Sequence, residues 1–314
     1  MLTTGIDTSG TLVGSKGTTS TDGNDTFNAV VDNTTATGVN NQTWTGLDNL
    51  DGGKGNDTIN FNDLTATTAV LNLTTGTIKN IETMNVKTVG DLTLNTTTVE
   101  GLETLNTTKT LFAKLTAATT TDVNVSGASG VITVDGGKNI SVTDATVNKD
   151  ITIGAGTKNA GTITVTDTKQ GNGEVKIQGG TDVTVTTTGS VKTGGLGTTA
   201  DITIGGATVA EQASGAVIVN ATGAAYAAGT ASTMGNISVT GGKTISVTQK
   251  ATSDASKAAA DESAKDMTQG KVTIVAGATT TDVTVKQDAD VTAKDAVDST
   301  GGATETVSVK FIKA

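Results

Sequence analysis

The sequence predicts an all-β chain: a parallel β-solenoid, or β-helix, with coils of about 20 residues and short looped-out insertions. Three observations predict it. Short β-branched strands alternate strictly apolar and polar. A glycine–aspartate nonapeptide marks a tight corner. Large core-filling side chains are nearly missing, with four Phe, one Trp and one Tyr in 314 residues.

The alternation begins beyond residue 130. It reads Ile132-Thr133-Val134, Ile140-Ser141-Val142, Ile151-Thr152-Ile153, Ile163-Thr164-Val165, Val175-Lys176-Ile177 and Val183-Thr184-Val185. It continues through Ile202-Thr203-Ile204, Ile237-Ser238-Val239, Ile245-Ser246-Val247, Val272-Thr273-Ile274 and Val283-Thr284-Val285. A period of two places the apolar residues on one face and Thr or Ser on the other. β-branched side chains fit that pleated surface. Gly, Asn or Asp bounds each run. Residues Gly130–Thr143 and Gly235–Thr248 are near-copies, and Gly-Gly pairs recur at Gly52, Gly136, Gly179 and Gly241, while the pair at Gly205 falls outside this series. Their steps approximate whole multiples of one coil, the mark of a stacked repeat.

The corner signal is Gly52-Gly53-Lys54-Gly55-Asn56-Asp57-Thr58-Ile59-Asn60. It fits the pattern G-G-x-G-x-D-x-U-x of calcium-binding parallel β-helices. The glycines permit backbone angles that other residues avoid. Asp57 supplies a hard carboxylate oxygen, and the turn offers carbonyls such as those of Gly53 and Gly55, the ligand type Ca²⁺ prefers. A degenerate relative precedes it in Asp22-Gly23-Asn24-Asp25-Thr26-Phe27-Asn28. Asp57 and Asp25 are therefore the leading candidate ligands, with Asp22, Asp48, Asp51 and Asp63 as helpers. Asp135, Asp144, Asp167 and Asp182 could mark further sites, but solvated turn carboxylates are the simpler reading.

Two regions are expected. Residues 1–120 hold the calcium-type loops and more Asn and Leu; residues 121–314 form a Thr/Val/Gly-rich solenoid. Within the second, 221–235 and 251–269 read as insertions looped out of a coil. Trp44 is expected to cap or join the core of the first coils.

Composition excludes several functions. Twenty-one basic against 31 acidic residues give a net charge of −10, with no basic stripe for nucleic acid. Absence of His and Cys removes histidine-based triads, thiol nucleophiles and most zinc sites. The chain is therefore read as non-catalytic. No stretch reaches the roughly 20 apolar residues of a membrane span. Outward Thr ladders such as Val183–Thr188 are read as strand formers on a wet face rather than an ice- or glycan-binding surface.

Residues 51–60 resemble the haemolysin-type (RTX) calcium-binding repeat. The order Gly23–Asn28, Leu47–Gly53, then Ile81-Glu82-Thr83-Met84-Asn85 and Leu102-Glu103-Thr104-Leu105-Asn106 resembles surface-layer (S-layer) proteins of Gram-negative proteobacteria. That resemblance spans about residues 1–120 by motif and the remainder only by composition. It implies a Ca²⁺-dependent, self-assembling structural subunit on the bacterial cell surface, exported by a type I system. It also implies lipopolysaccharide anchoring through a region outside this chain, and the chain is expected to be a fragment of a longer protein. The alternatives are a repeat segment of a type I-secreted biofilm adhesin and, more remotely, a carbohydrate-active β-helix enzyme.

Overall fold

A computed structural model describes residues 22–31, 43–44, 48–64, 69–70, 77–189, 200–225, 232–254, 267–292 and 309–313. The chain divides into two compact units, Met1–Ser141 and Val142–Ala314. Both are parallel β-solenoids.

The first unit carries β1 (Thr26–Val31), β2 (Asn49–Asp51), β3 (Thr58–Asp63), β4 (Ala69–Val70), β5 (Thr77–Lys79), β6 (Thr83–Thr88), β7 (Leu92–Asn95), β8 (Thr104–Thr108), β9 (Ala113–Ala117), β10 (Asp122–Ser126) and β11 (Ile132–Gly136). One parallel sheet runs β1-β3-β6-β8-β10. A second runs β4-β7-β9-β11, and β2 pairs with β5. Each turn of the chain thus adds one strand to each main sheet. Period-two alternation then aims Phe27, Ile59, Met84, Leu105 and Val123 inward as one column of register neighbours, all buried. Leu92, Ala113 and Ile132 line the other sheet in the same way. Trp44 joins this core, its ring edge-on to Phe61 at 5.0 Å.

On the outer face of the first sheet the same pairing stacks asparagines. Asn60 donates its side-chain amide to Asn28 Oδ1 at 2.9 Å, Asn85 to Asn60 at 2.8 Å, Asn106 to Asn85 at 2.8 Å and Asn124 to Asn106 at 2.9 Å. The sequence steps along this ladder shrink from 32 to 25, 21 and 18 residues. Only the later rungs match the expected coil of about 20.

β12 (Ile140–Asp144) spans the boundary between the units. The second unit continues with β13 (Ile151–Ile153), β14 (Ile163–Asp167), β15 (Val175–Ile177), β16 (Val183–Thr188), β17 (Ile202–Ile204), β18 (Ala216–Ala225), β19 (Ser232–Thr233), β20 (Ile237–Thr240), β21 (Thr244–Asp254), β22 (Met267–Thr268), β23 (Val272–Ala276), β24 (Asp282–Thr292) and β25 (Val309–Lys313). Its sheets run β14-β16-β18-β21-β24 and β13-β15-β17-β20-β23-β25. β19 pairs with β22. Isoleucine and valine fill the interior as columns such as Ile151-Val175-Ile202-Ile237-Val272. Thr184 and Thr186 of β16 lie half-exposed on the outer face, while Thr187 is buried.

Asp167 meets Thr187 after the expected 20 residues, but later rungs are longer. Asp182 meets Ala216 across 34 residues, and Gln249 meets Gln287 across 38. Two expected insertions are also corrected in part. Residues 221–225 belong to β18 and 251–254 to β21, which pair in register along ten residues. The remaining cores of those segments, 226–231 and 255–266, lie outside the described residues. Ala-rich composition hid strands there, because sheet pairing on both sides overrides weak β-propensity.

Candidate functional site

The two Gly-Asn-Asp-Thr-x-Asn copies stack in register. Thr26 stands beside Thr58, Phe27 beside Ile59 and Asn28 beside Asn60. Immediately before these strands Asp25 lies over Asp57. Thr58 N donates to Asp25 O at 2.9 Å, and Asn56 N donates to Asn24 Oδ1 at 2.9 Å. The stacking needs glycine. Gly55 has φ +127°, and a Cβ there would lie 2.7 Å from Gly23 O. At Gly52 a Cβ would strike Asn80 O and come within 2.5 Å of Asp57 Oδ2.

The column continues past the nonapeptide. Thr58 pairs with Thr83 and Thr83 with Thr104, so Glu82 and Glu103 occupy the place of Asp57 in the next two rungs. The acids cap one another's backbone: Asp25 N donates to Asp57 Oδ1 at 2.6 Å, and Asp57 N to Glu82 Oε2 at 2.6 Å. Glu82 N and Thr83 N both donate to Asp57 O, at 3.1 and 3.0 Å. One edge of the first unit therefore carries Asp25, Asp57, Glu82 and Glu103, one acid per rung. The spacing along such a stack is about 4.8 Å.

Asp57 is the buried member, 1 % exposed. Its Oδ2 has no hydrogen-bond donor. Burial pushes its carboxyl pKa up, the Asp25 amide opposes this, and the charges of Glu82, Asp25 and Asp51 add to the rise. Asp25 is half-buried, and Gly53 and Gly55 are exposed at the turn.

The other expected ligands are placed differently. Asp51 accepts from Lys79 Nζ at 2.8 Å, Asn80 Nδ2 at 2.7 Å and Gly53 N at 3.1 Å. The hydrogen bonds from Lys79 and Asn80 hold its carboxyl below the usual carboxylate range. Asp22 pairs with Lys54 at 2.9 Å, both side chains well exposed. Asp48 is fully buried just ahead of β2. Asp63 is buried at the end of β3 and accepts from Thr88 Oγ1 at 3.1 Å. Among the described residues no group of three or more His, Cys, Asp or Glu is arranged to hold a metal ion. The corner's fit to Ca²⁺ rests on Asp57 Oδ2, a buried hard oxygen without a donor, flanked by the acids above and below it. Asp22 and Asp51 are neutralised by lysine in this arrangement.

Sequence reasoning missed Glu82 and Glu103. Their signal was present: Ile81-Glu82-Thr83-Met84-Asn85 repeats Asn56-Asp57-Thr58-Ile59-Asn60 with one methylene added to the acid. Asp144 and Asp167 correct the reading of solvated turn carboxylates, since both are 1 % exposed. They end β12 and β14 on the inward phase of the alternation. Burial pushes the Asp167 carboxyl up to about 7, against the Lys169 amide and with help from the charge of Asp144. No helix among the described residues is long and apolar enough to cross a membrane. No protein-family model matches this chain, and no curated protein matches it either.

Proposed function

We propose that this chain is a structural, non-catalytic segment of a bacterial surface layer, a β-solenoid whose acidic corner is closed by Ca²⁺. The observation that carries the reading is the in-register column Asp25–Asp57–Glu82–Glu103 with the orphaned Asp57 Oδ2 at its heart. Stacked like charges repel, and an unpaired buried carboxylate is costly. A hard divalent cation relieves both at once. Asp57 and Asp25 would hold it, Glu82 would add charge, and Gly52, Gly53 and Gly55 would let the backbone approach.

Mass action gives the mechanism. An ion that binds only the folded chain contributes about 2.7 kcal/mol at a hundredfold excess over its Kd. Low Ca²⁺ inside a cell would leave the coils loose for export, and abundant Ca²⁺ outside would close them at the cell surface. Self-association into a lattice is the partner relation this reading carries. Contact with lipopolysaccharide would fall to a region outside the chain.

The test combines calorimetry with electron microscopy. Ca²⁺ should raise the melting temperature of the wild-type chain, and Asp57→Ala should remove that rise while changing the chelated protein less. Grids prepared after Ca²⁺ addition should show two-dimensional arrays. Isolated particles at every Ca²⁺ concentration would favour the adhesin reading. Equal losses for Asp57→Ala with and without Ca²⁺ would remove the metal from the mechanism.

A further inference from the structure

The interior of the second unit holds a polar column unlike the rest of its core. Thr168 N donates to Asp144 O at 3.0 Å, which sets Asp144 one rung before Asp167. Asp167 is the register neighbour of Thr187. All three side chains end inward-facing phases and are 1 % exposed. Each carboxylate is anchored by one oxygen only. Asp144 Oδ1 accepts from Ala145 N at 2.7 Å and Thr146 N at 3.0 Å; Asp167 Oδ1 accepts from Lys169 N at 2.9 Å. The second oxygen of each, Oδ2, has no donor, and neither has Thr187 Oγ1 a partner. Gln170, fully buried three residues beyond Asp167, spends its amide on Gly173 O at 3.0 Å and Ala200 O at 3.1 Å, leaving Oε1 without a donor.

We propose that Asp144, Asp167 and Thr187 form an internal site for a divalent cation, with Ca²⁺ as the best-matched ion and Gln170 Oε1 as a further ligand. The site is separate from the glycine corner and does not depend on it.

The donor count favours a cation over a single shared proton. The orphaned atoms are four oxygens, and the only hydrogen among them is the Thr187 hydroxyl. One proton shared between the carboxyls would satisfy a single pair and leave a buried negative charge. A divalent ion would cancel both charges, with the orphaned oxygens as its candidate ligands. Among the described residues of the opposing sheet, β13 and β15 turn Ile151, Ile153, Val175 and Ile177 inward and so bring no charge of their own to the interior. Oxygen-only donors and a site remote from bulk water suit Ca²⁺, which accepts irregular geometry, better than Mg²⁺, which keeps its waters. Farther along the column the polar groups are neutral amides that bond to their neighbours, although Gln287 Oε1 also lacks a donor. Gln287 Nε2 donates to Gln249 Oε1 at 2.7 Å, and Gln249 Nε2 to Gly235 O at 2.9 Å. What sets the two aspartates apart is that their orphaned oxygens belong to ionisable groups, whereas those of the glutamines are neutral.

The test uses the full chain with Ca²⁺ alone as the probe, counting bound ions by equilibrium dialysis and recording melting curves in Ca²⁺ and in EGTA. Asp167→Asn should bind one ion fewer per chain. It should melt above wild type in EGTA, where a repelling charge has gone, and below wild type in Ca²⁺. Thr187→Val keeps both carboxylates and should weaken one class of site without lowering the count at saturation. It also serves if Asp167→Asn fails to fold. Asp57→Ala should remove a different ion, so failure at the corner is read separately. An unchanged ion count in Asp167→Asn, an equal gain in stability with and without Ca²⁺, or unaltered affinities in Thr187→Val would each overturn the proposal.

Discussion

Replacing Asn85 by alanine tests whether the outer asparagine ladder stabilises the first unit. Asn85 sits mid-ladder: it donates to Asn60 at 2.8 Å and accepts from Asn106 at 2.8 Å. Asn124 makes only the bond to Asn106, at 2.9 Å. A net hydrogen bond contributes about 0.5–1.5 kcal/mol, so Asn85→Ala should cost about 1–3 kcal/mol and Asn124→Ala about half of that. Water reaches these half-exposed amides, which favours the lower end. At about 2–4 °C per kcal/mol for a domain of this size, the mid-ladder change should lower the melting temperature by about 2–12 °C. Thermal unfolding followed by far-UV circular dichroism measures it. A double-mutant cycle of Asn60→Ala with Asn85→Ala isolates the coupling. Equal costs for Asn85→Ala and Asn124→Ala, or strict additivity in the cycle, would refute the ladder as an energetic unit.

Three further outcomes are expected. Gly52→Ala should destabilise by about 1–3 kcal/mol, as overpacking does, because its Cβ meets Asn80 O and Asp57 Oδ2; a neutral result in calorimetry would show that the corner is looser than described. In EGTA, Asp167 should make wild type less stable as pH rises. Its folded pKa of about 7 exceeds the ordinary aspartate value of 3.8, so the folded state holds the proton longer and stability falls between those values. The shift corresponds to about 4 kcal/mol, and Asp167→Asn should abolish it; parallel pH profiles for the two proteins would contradict the assignment. Lys54→Ala removes an ion pair whose side chains are 77 % and 82 % exposed, and such pairs contribute about 0–1 kcal/mol; denaturant titration should find almost no change.

The strands were legible because their parity is strict. Ile163-Thr164-Val165-Thr166-Asp167 alternates without a break, and the structure follows it. The same parity already turned Asp144, Asp167 and Thr187 inward. A strand-terminal aspartate equally suits a wet turn, and that masked the signal. The corner was legible as a repeated word, Gly-Asn-Asp-Thr, yet its continuation through Glu82 and Glu103 was hidden by the change of acid. Rung length was the least legible property. Pairing fixes only which strand residues meet, so residues added at a bend leave no mark on the alternation.

That indifference has a practical side. Between Thr104 and Asp122 the chain spends 18 residues on one circuit of the first unit, whereas between Thr244 and Asp282 in the second it spends 38. Facing residues remain aligned in both cases. A bend can therefore accept foreign sequence, such as an epitope or a peptide tag, while the neighbouring strands keep their partners. In an array of many copies, each graft would recur at every lattice point.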